Sequence, residues 1–244
     1  MVVVTGGGRG IGAAVSRQAA AAGYAVVVNY AAAAGPAQSL AAELTEAGGT
    51  AVAAGADVAD EAAVTRMFAV ADELGRLVGL VNNAGISGPY GRFDAVEAAD
   101  LRRVMDVNVV GAMLCSRAAL RRMSTRYGGR GGAIVNISSR AAAIGGAGEW
   151  VHYAASKAAL DTFTLGLARE VAEEGVRVNG VAPGLILTDF HSTAGQPDRP
   201  EWMAPGIPMR RAGSPDEVAA AIVWLLSPAA SYVTGATLPV AGGR

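Results

Sequence analysis

Short runs rich in β-branched residues alternate with longer amphipathic stretches along the whole chain. This alternation restricts the fold more than any other feature. Residues 2–5, 25–29, 50–55, 78–82, 132–137 and 176–181 read as strands, with a last one at 237–240. Helical periodicity falls between them, near residues 10–22, 36–47, 60–74, 100–126 and 153–174. Strands separated by helices of that length form βαβ units, whose strands pair in parallel. Right-handed crossovers then place helices on both faces of the sheet. The expected class is α/β, a doubly wound parallel sheet of about seven strands. One more helix opens at Ser214-Pro215-Asp216-Glu217, which supplies an N-cap serine, a proline at N1 and a glutamate at N3. No internal repeat and no linker divides the 244 residues, so a single domain spanning 1–244 is expected.

Composition removes several classes of function. A formal net charge of −1 gives no global attraction to nucleic acid or anionic membrane. The single cysteine, Cys115, rules out a disulfide framework and a multi-cysteine zinc site, and no cluster has metal-ligand spacing. Residues 18–42 carry no charge and are long enough to cross a bilayer. Gly23, Asn29, Gly35 and Pro36 interrupt them, and the periodicity changes from helix to strand to turn, so no membrane span is expected. A charged leader with a cleavage site is not evident, which makes the cytoplasm the expected compartment. Residues 185–213 break the rhythm with prolines, glycines, His191 and Trp202, and read as a lid over a site.

Thr5-Gly6-Gly7-Gly8-Arg9-Gly10-Ile11-Gly12 follows the first strand and opens the first helix. Glycines there let the backbone turn tightly and approach a pyrophosphate, and the helix N-terminus offers free N–H groups. The spacing is Gly6-x-x-x-Gly10-x-Gly12 rather than G-x-G-x-x-G. Sites for NAD usually carry Asp or Glu at the end of the second strand, to hold the ribose 2′-hydroxyl. Here that strand ends in Asn29-Tyr30-Ala31, without a carboxylate. Arg9 is positioned to pair with a 2′-phosphate, the alternative being a solvated loop residue. NADP(H) is favoured as cofactor, with NAD(H) as the alternative.

Every basic residue is arginine except Lys157, which suggests a site needing a compact ammonium. Tyr153 and Lys157 stand four apart, so a helix presents both on one face. A neighbouring ammonium stabilises a phenolate and lowers a pKa that starts near 10, making tyrosine a usable general acid or base. Upstream, Ser138-Ser139 end a strand, where a hydroxyl can hold a carbonyl oxygen.

With these motifs in order along nearly its whole length, the chain resembles the classical short-chain dehydrogenases/reductases. The resemblance rests on the glycine loop, Asp57-Val58, Asn82-Asn83-Ala84-Gly85, Asn108 within Asp106–Gly111, Ser139, Tyr153 to Lys157, and Pro183-Gly184-Leu185-Ile186-Leu187-Thr188. It implies a single-domain Rossmann fold. Tyr153 would exchange a proton with the substrate oxygen, Ser139 would position the carbonyl, and Lys157 would bind the nicotinamide ribose. Asn108 would hold a water in a proton relay. Gly6, Gly10, Ile11, Gly12, Asn29 and Tyr30, with Asp57, Val58, Asn83, Ala84 and Gly85, would line the adenosine and pyrophosphate. Pro183, Gly184, Ile186 and Thr188 would lie at the nicotinamide.

The segment between serine and tyrosine is one residue longer than the common family spacing, so Ser138 stays an alternative to Ser139. Glu149, Trp150 and His152 fall in or beside that segment, as pocket lining or as packing against a neighbouring subunit. His191 and Trp202 in the lid are candidate substrate contacts or ordinary surface. The resemblance also implies a small carbonyl or alcohol substrate and a homotetramer, or a homodimer, with helices 100–126 and 153–174 pairing between subunits. The main alternatives are a 3-oxoacyl-carrier-protein reductase, which needs a basic patch such as Arg121, Arg122, Arg126 and Arg130, and an NAD-linked sugar 1-dehydrogenase. A silent dinucleotide sensor is a further alternative, against which the intact tyrosine, lysine and serine argue.

Overall fold

Valine dominates the first two strands, β1 (Val2–Val4) and β2 (Val26–Tyr30), and its branched side chain suits a pleated surface buried on both sides. The remaining strands are β3 (Ala51–Gly55), β4 (Gly79–Asn82), β5 (Gly132–Ile137), β6 (Val176–Pro183) and β7 (Thr237–Val240). They form one seven-stranded sheet in the order β3-β2-β1-β4-β5-β6-β7, with every neighbouring pair parallel. This is a single-domain Rossmann-like arrangement, as the alternation of elements requires. The computed structural model describes residues 1–244 apart from the side chain of His191.

Alternating side chains feed two cores, one on each face. Val2, Val4, Val26, Val28, Val81, Val135 and Ile137 meet α1 (Gly10–Ala21), α2 (Ala34–Glu46) and α10 (Pro215–Leu226). Val3, Val27, Leu80, Ile134 and Val178 face α3 (Glu61–Glu73), α5 (Gly111–Met123) and α7 (Val151–Val171). Cys115 is fully enclosed in this second core, and burial pushes its thiol up to about 12.

The stretch expected as one helix over 100–126 is broken. It consists of α4 (Ala98–Met105), a π-helical turn over Asp106–Val110, and then α5. One widened turn barely changes the apolar spacing of its flanks, so periodicity does not show it. Further along lie three short helices, α6 (Ala141–Ile144), α8 (Phe190–Thr193) and α9 (Arg199–Met203), too brief to carry a periodic pattern. The excursion over 185–213 is closed at its base. Gly213 N–H donates to Leu185 O at 2.9 Å, and Leu187 N–H donates to Gly213 O at 2.9 Å.

The expected capping box on α10 is formed in full. Glu217 N–H donates to Ser214 Oγ at 3.2 Å, and Ser214 N–H donates to the Glu217 carboxylate at 2.8 Å. Because α10 covers one face of the sheet, loss of this cap lowers global stability. Ser214→Ala is expected to cost about 1 kcal/mol in urea unfolding with an unchanged m-value.

Candidate active site

All parallel strands end at one edge, and the loops that follow them carry the expected motifs. After β1, Gly6 and Gly10 adopt φ of +60° and +53°, values that favour glycine. A Cβ on Gly12 would lie 2.3 Å from Gly6 O and 2.6 Å from Asn83 Nδ2, so only glycine lets α1 start this close to the loop. Arg9 occupies the N-cap of α1 without a side-chain cap, which leaves the first helical N–H groups for a ligand. Its guanidinium is exposed and makes no hydrogen bond or ion pair among the described residues. An uncapped helix N-terminus behind a glycine turn fits a pyrophosphate.

Several expected cofactor residues serve as struts for this loop. Asn29 is buried, with Oδ1 accepting from Gly6 N–H at 3.1 Å and Nδ2 donating to Ala54 O and Ala56 O at 3.1 and 3.0 Å. Its side chain orders the ends of β2 and β3. Tyr30 is half-buried, with its ring against Gly55. Asn83 Nδ2 donates to Thr5 O and Gly6 O at 2.9 and 3.0 Å, and Thr5 Oγ1 accepts from the N–H groups of Asn83 and Ala84. Sequence reasoning gave Thr5 no role, although it heads the glycine motif. Val58 is buried against Gly111, where a Cβ would come within 2.6 Å of it. Burial opposes ionisation of Asp57, but the Ala59 amide and the Arg103 guanidinium outweigh it and hold its carboxyl below the ordinary value.

One cleft gathers Ile11, Asn83, Gly85, Ser139, Tyr153, Lys157, Pro183, Gly184 and Thr188. Gly6 and Gly10 lie at its edge, a Cβ on Gly10 reaching to 3.4 Å of Thr188 Cγ2. Ile186 is buried behind it and bridges to Gly213. Ser138 and Ser139 divide their duties. Ser138 is buried and its Oγ donates to Lys157 O at 3.4 Å, whereas Ser139 lines the cleft and its hydroxyl is the one that pulls the Tyr153 phenol pKa down.

Tyr153 and Lys157 share the inner face of α7, as their spacing predicts. Lys157 Nζ donates to Ile137 O at 2.6 Å and lies 5.7 Å from the Tyr153 ring centre. Burial pushes the Tyr153 phenol above its ordinary value, and Ser139 and the Arg199 charge, rather than Lys157, pull it down. Burial also brings Lys157 down to about 8, partly offset by Asp161. Asn108 sits in the π-helical turn. Its Oδ1 accepts from Ile86 N–H at 2.9 Å, while Nδ2 donates to Ile86 O and to Ser156 Oγ, each at 2.9 Å. A Cβ on Gly85 would stand 3.3 Å from both Asn108 Oδ1 and Lys157 Nζ, so the loop after β4 closes tightly over the lysine.

The expected substrate contacts separate into two groups. Glu149 and Trp150 line the cleft, with Trp150 edge-on to Tyr90 at 5.0 Å. His152 does not line it. Its ring is buried against Gly88, which a Cβ would bring to 2.6 Å of Nε2, because residue 152 falls on a different face of α7 from Tyr153. Trp202 is 56% exposed and outside the cleft lining, though 5.9 Å from the Arg199 guanidinium. The His191 side chain lies outside the described residues. The sequence pattern did not single out Arg199, Arg244 or Phe190, all of which border the cleft. No metal-binding group of histidine, cysteine or carboxylates occurs among the described residues, and no helix there is long and apolar enough to cross a membrane.

A family model described as enoyl-(acyl carrier protein) reductase matches residues 6–244. An uncharacterized oxidoreductase of Escherichia coli, YgfF, is 48% identical over 245 residues, covering 100% of this chain and 99% of its own. A 3-oxoacyl-[acyl-carrier-protein] reductase of Synechocystis is 39% identical, covering 100% and 96%. A crystal structure of a short chain dehydrogenase from Burkholderia cenocepacia in complex with NADP superposes with a TM-score of 0.90 at 35% identity, covering 99% and 96%. The chain belongs to the short-chain dehydrogenase/reductase family. It is an oxidoreductase by that membership.

Burial of Lys157 has a consequence for stability in the chain without ligand. Folded Lys157 releases its proton near 8, whereas the unfolded side chain holds it to about 10.5. Between those values the unfolded state binds more protons, so wild-type stability gains as pH rises. Lys157→Met removes that gain. The stability of the variant minus that of wild type is expected to fall by about 2 kcal/mol from pH 7.5 to 9.5 in urea titrations, and an unchanged difference would refute the assignment.

Proposed function

We propose that the chain is an NADP(H)-dependent oxidoreductase that moves a hydride between nicotinamide and a carbonyl or secondary alcohol. The observation that carries this reading is the convergence of Tyr153, Ser139 and Lys157 on a cleft beside the uncapped start of α1. The nicotinamide, when bound, supplies or accepts the hydride. Tyr153 Oη gives a proton to the substrate oxygen in reduction and takes it in oxidation. Ser139 Oγ holds that oxygen and favours the phenolate. Lys157 carries the positive charge of the site and binds the ribose hydroxyls. Asn108, Gly85 and Ile86 fix the wall opposite Lys157, and Asn108 also belongs to the proton relay. Pro183, Gly184, Ile186 and Thr188 hold the amide end, and residues 185–213 close over the substrate.

The preference for NADP(H) draws on three facts. Strand β2 ends without a carboxylate, the Asn29 amide is committed to backbone groups, and Arg9 has a free guanidinium at the loop. The Burkholderia relative was crystallised with NADP. A homotetramer is supported by apolar side chains left exposed on the two long helical stretches, including Met105, Val110, Met113 and Leu165.

A carrier-protein reductase is the second reading, favoured by the Synechocystis relative. The basic run it would use is partly neutralised, since Arg122 pairs with Asp72 at 2.6 Å and Arg126 lies 3.9 Å from Glu174. An NAD-linked sugar dehydrogenase is disfavoured by the missing carboxylate after β2.

Fluorescence titration is expected to give tighter binding of NADPH than of NADH, with Arg9→Ala weakening NADPH alone. Equal affinities would sink the Arg9 assignment. In a screen of ketones with NADPH, Tyr153→Phe is expected to lower kcat by about 10²–10⁴-fold while leaving NADPH affinity intact.

A further inference from the structure

The cleft wall away from the glycine loop gathers three arginines, of which Arg199 and Arg140 have partners within the protein and the Arg244 guanidinium has none among the described residues. Arg140, Arg199 and Arg244 border the cavity with a single carboxylate side chain, Glu149. Arg199 comes from α9 and its side chain is only 8% exposed. One of its terminal nitrogens donates to Glu149 Oε2 at 2.5 Å, while its Nε is buried with no acceptor. The guanidinium lies 5.0 Å from the Trp150 ring, so it is held in a defined place. Arg140 Nε donates to the main-chain oxygen of Arg244 at 2.7 Å, which draws a second and third guanidinium together. The Arg244 guanidinium makes no ion pair or hydrogen bond among the described residues. Burial and the charges of Arg199 and Arg140 lower its pKa, against the pull of Glu149.

A structural latch between α9 and the segment before α7 needs only Arg199 and Glu149. It gives no reason for two more arginines to crowd the same wall, where like charges repel and the buried Nε of Arg199 lacks an acceptor. An anion entering the cleft removes both penalties. Guanidinium forks match carboxylate and phosphate oxygens with paired hydrogen bonds. Ile144, Trp150 and Phe190 supply apolar lining to the same cleft, with the Trp150 ring 5.0 Å from the Arg199 guanidinium and the Phe190 ring 5.8 Å from the Tyr153 ring. Arg199 is near enough for its charge to act on Tyr153.

We propose that Arg199, Arg244 and Arg140 form an anion subsite of the cleft, selecting substrates that carry a carboxylate or phosphate group joined by an apolar body to the reacting carbon. This rests on the reading of the cleft as a carbonyl-reducing site. It adds that the preferred substrate is charged, rather than a neutral ketone or a free sugar.

The test is calorimetric titration of the full chain with benzoate, phenyl phosphate and neutral benzamide, at low ionic strength, with and without saturating NADPH. At least one anion is expected to bind ten-fold or more tightly than benzamide, and the better of the two identifies the anionic group. Arg244→Ala is expected to weaken that anion about ten-fold, and Arg199→Gln to weaken it at least as much. The Arg244 guanidinium makes no hydrogen bond or ion pair among the described residues, so its variant keeps the test valid if Arg199→Gln fails to fold. Benzamide binding as well as both anions, or an anion affinity unaffected by Arg244→Ala, overturns the subsite. Anion binding by a chain that does not bind NADPH would support the subsite and refute the cofactor reading. Normal NADPH binding without anion selectivity would do the reverse.

Discussion

Every strand of the sheet runs in the same direction, and this constraint decides where chemistry can happen in the molecule. Seven parallel strands bring all their C-terminal ends to one edge. The loops after β1, β4, β5 and β6 therefore meet, although they are up to 180 positions apart in the chain. The order reverses between β1 and β4, where successive crossovers leave in opposite directions and open a crevice. Thr5 and Asn83 bridge that crevice from its two sides. Below it, Asn82 donates to Asn136, which donates to Thr164 on α7, so a buried polar chain ties β4 and β5 to the helix bearing Tyr153. The tyrosine is thus referenced to the sheet by directional bonds as well as by apolar packing.

The site keeps groups that a stability-driven design would remove. An ammonium is buried beside a carbonyl, and three guanidiniums share a wall with one carboxylate side chain. Each carries a desolvation cost that the two large cores must offset. The glycine loop makes a similar trade: residues with the most freedom to lose are fixed in left-handed conformations so that α1 can begin almost in contact with Gly6 O.

Strands and long helices were legible because their periods differ and valine and alanine mark them. Most boundaries fell within a residue or two of the structure. The strand expected to stop at 181 runs on to Pro183, whose missing N–H is harmless because its carbonyl still accepts from Arg140 N–H. The expected tyrosine, lysine and serine gather in one place because their motifs sit on regular elements or directly after them. What the sequence hid belongs to irregular backbone. Arg199 acts through the fold of an excursion with no period, and Arg244 follows the last strand, so neither carries a local signal. For His152, whose sequence position fits pocket lining or packing alike, the structure shows burial against Gly88, since a residue next to Tyr153 in sequence points about 100° away from it around a helix. Position at a strand end likewise does not reveal that the Asn29 amide bonds the neighbouring loop and strand.

Cys115 lies on the buried face of α5 with its thiol sealed from solvent and far from the thiolate form at neutral pH. With no second cysteine in the chain, the wild-type protein is chemically silent toward maleimides while folded. A cysteine introduced on the exposed side of α9 would be the one site to react, so a single dye can be placed on the 185–213 excursion without first stripping native sulfur. Its motion relative to the sheet then becomes directly observable in otherwise unaltered protein.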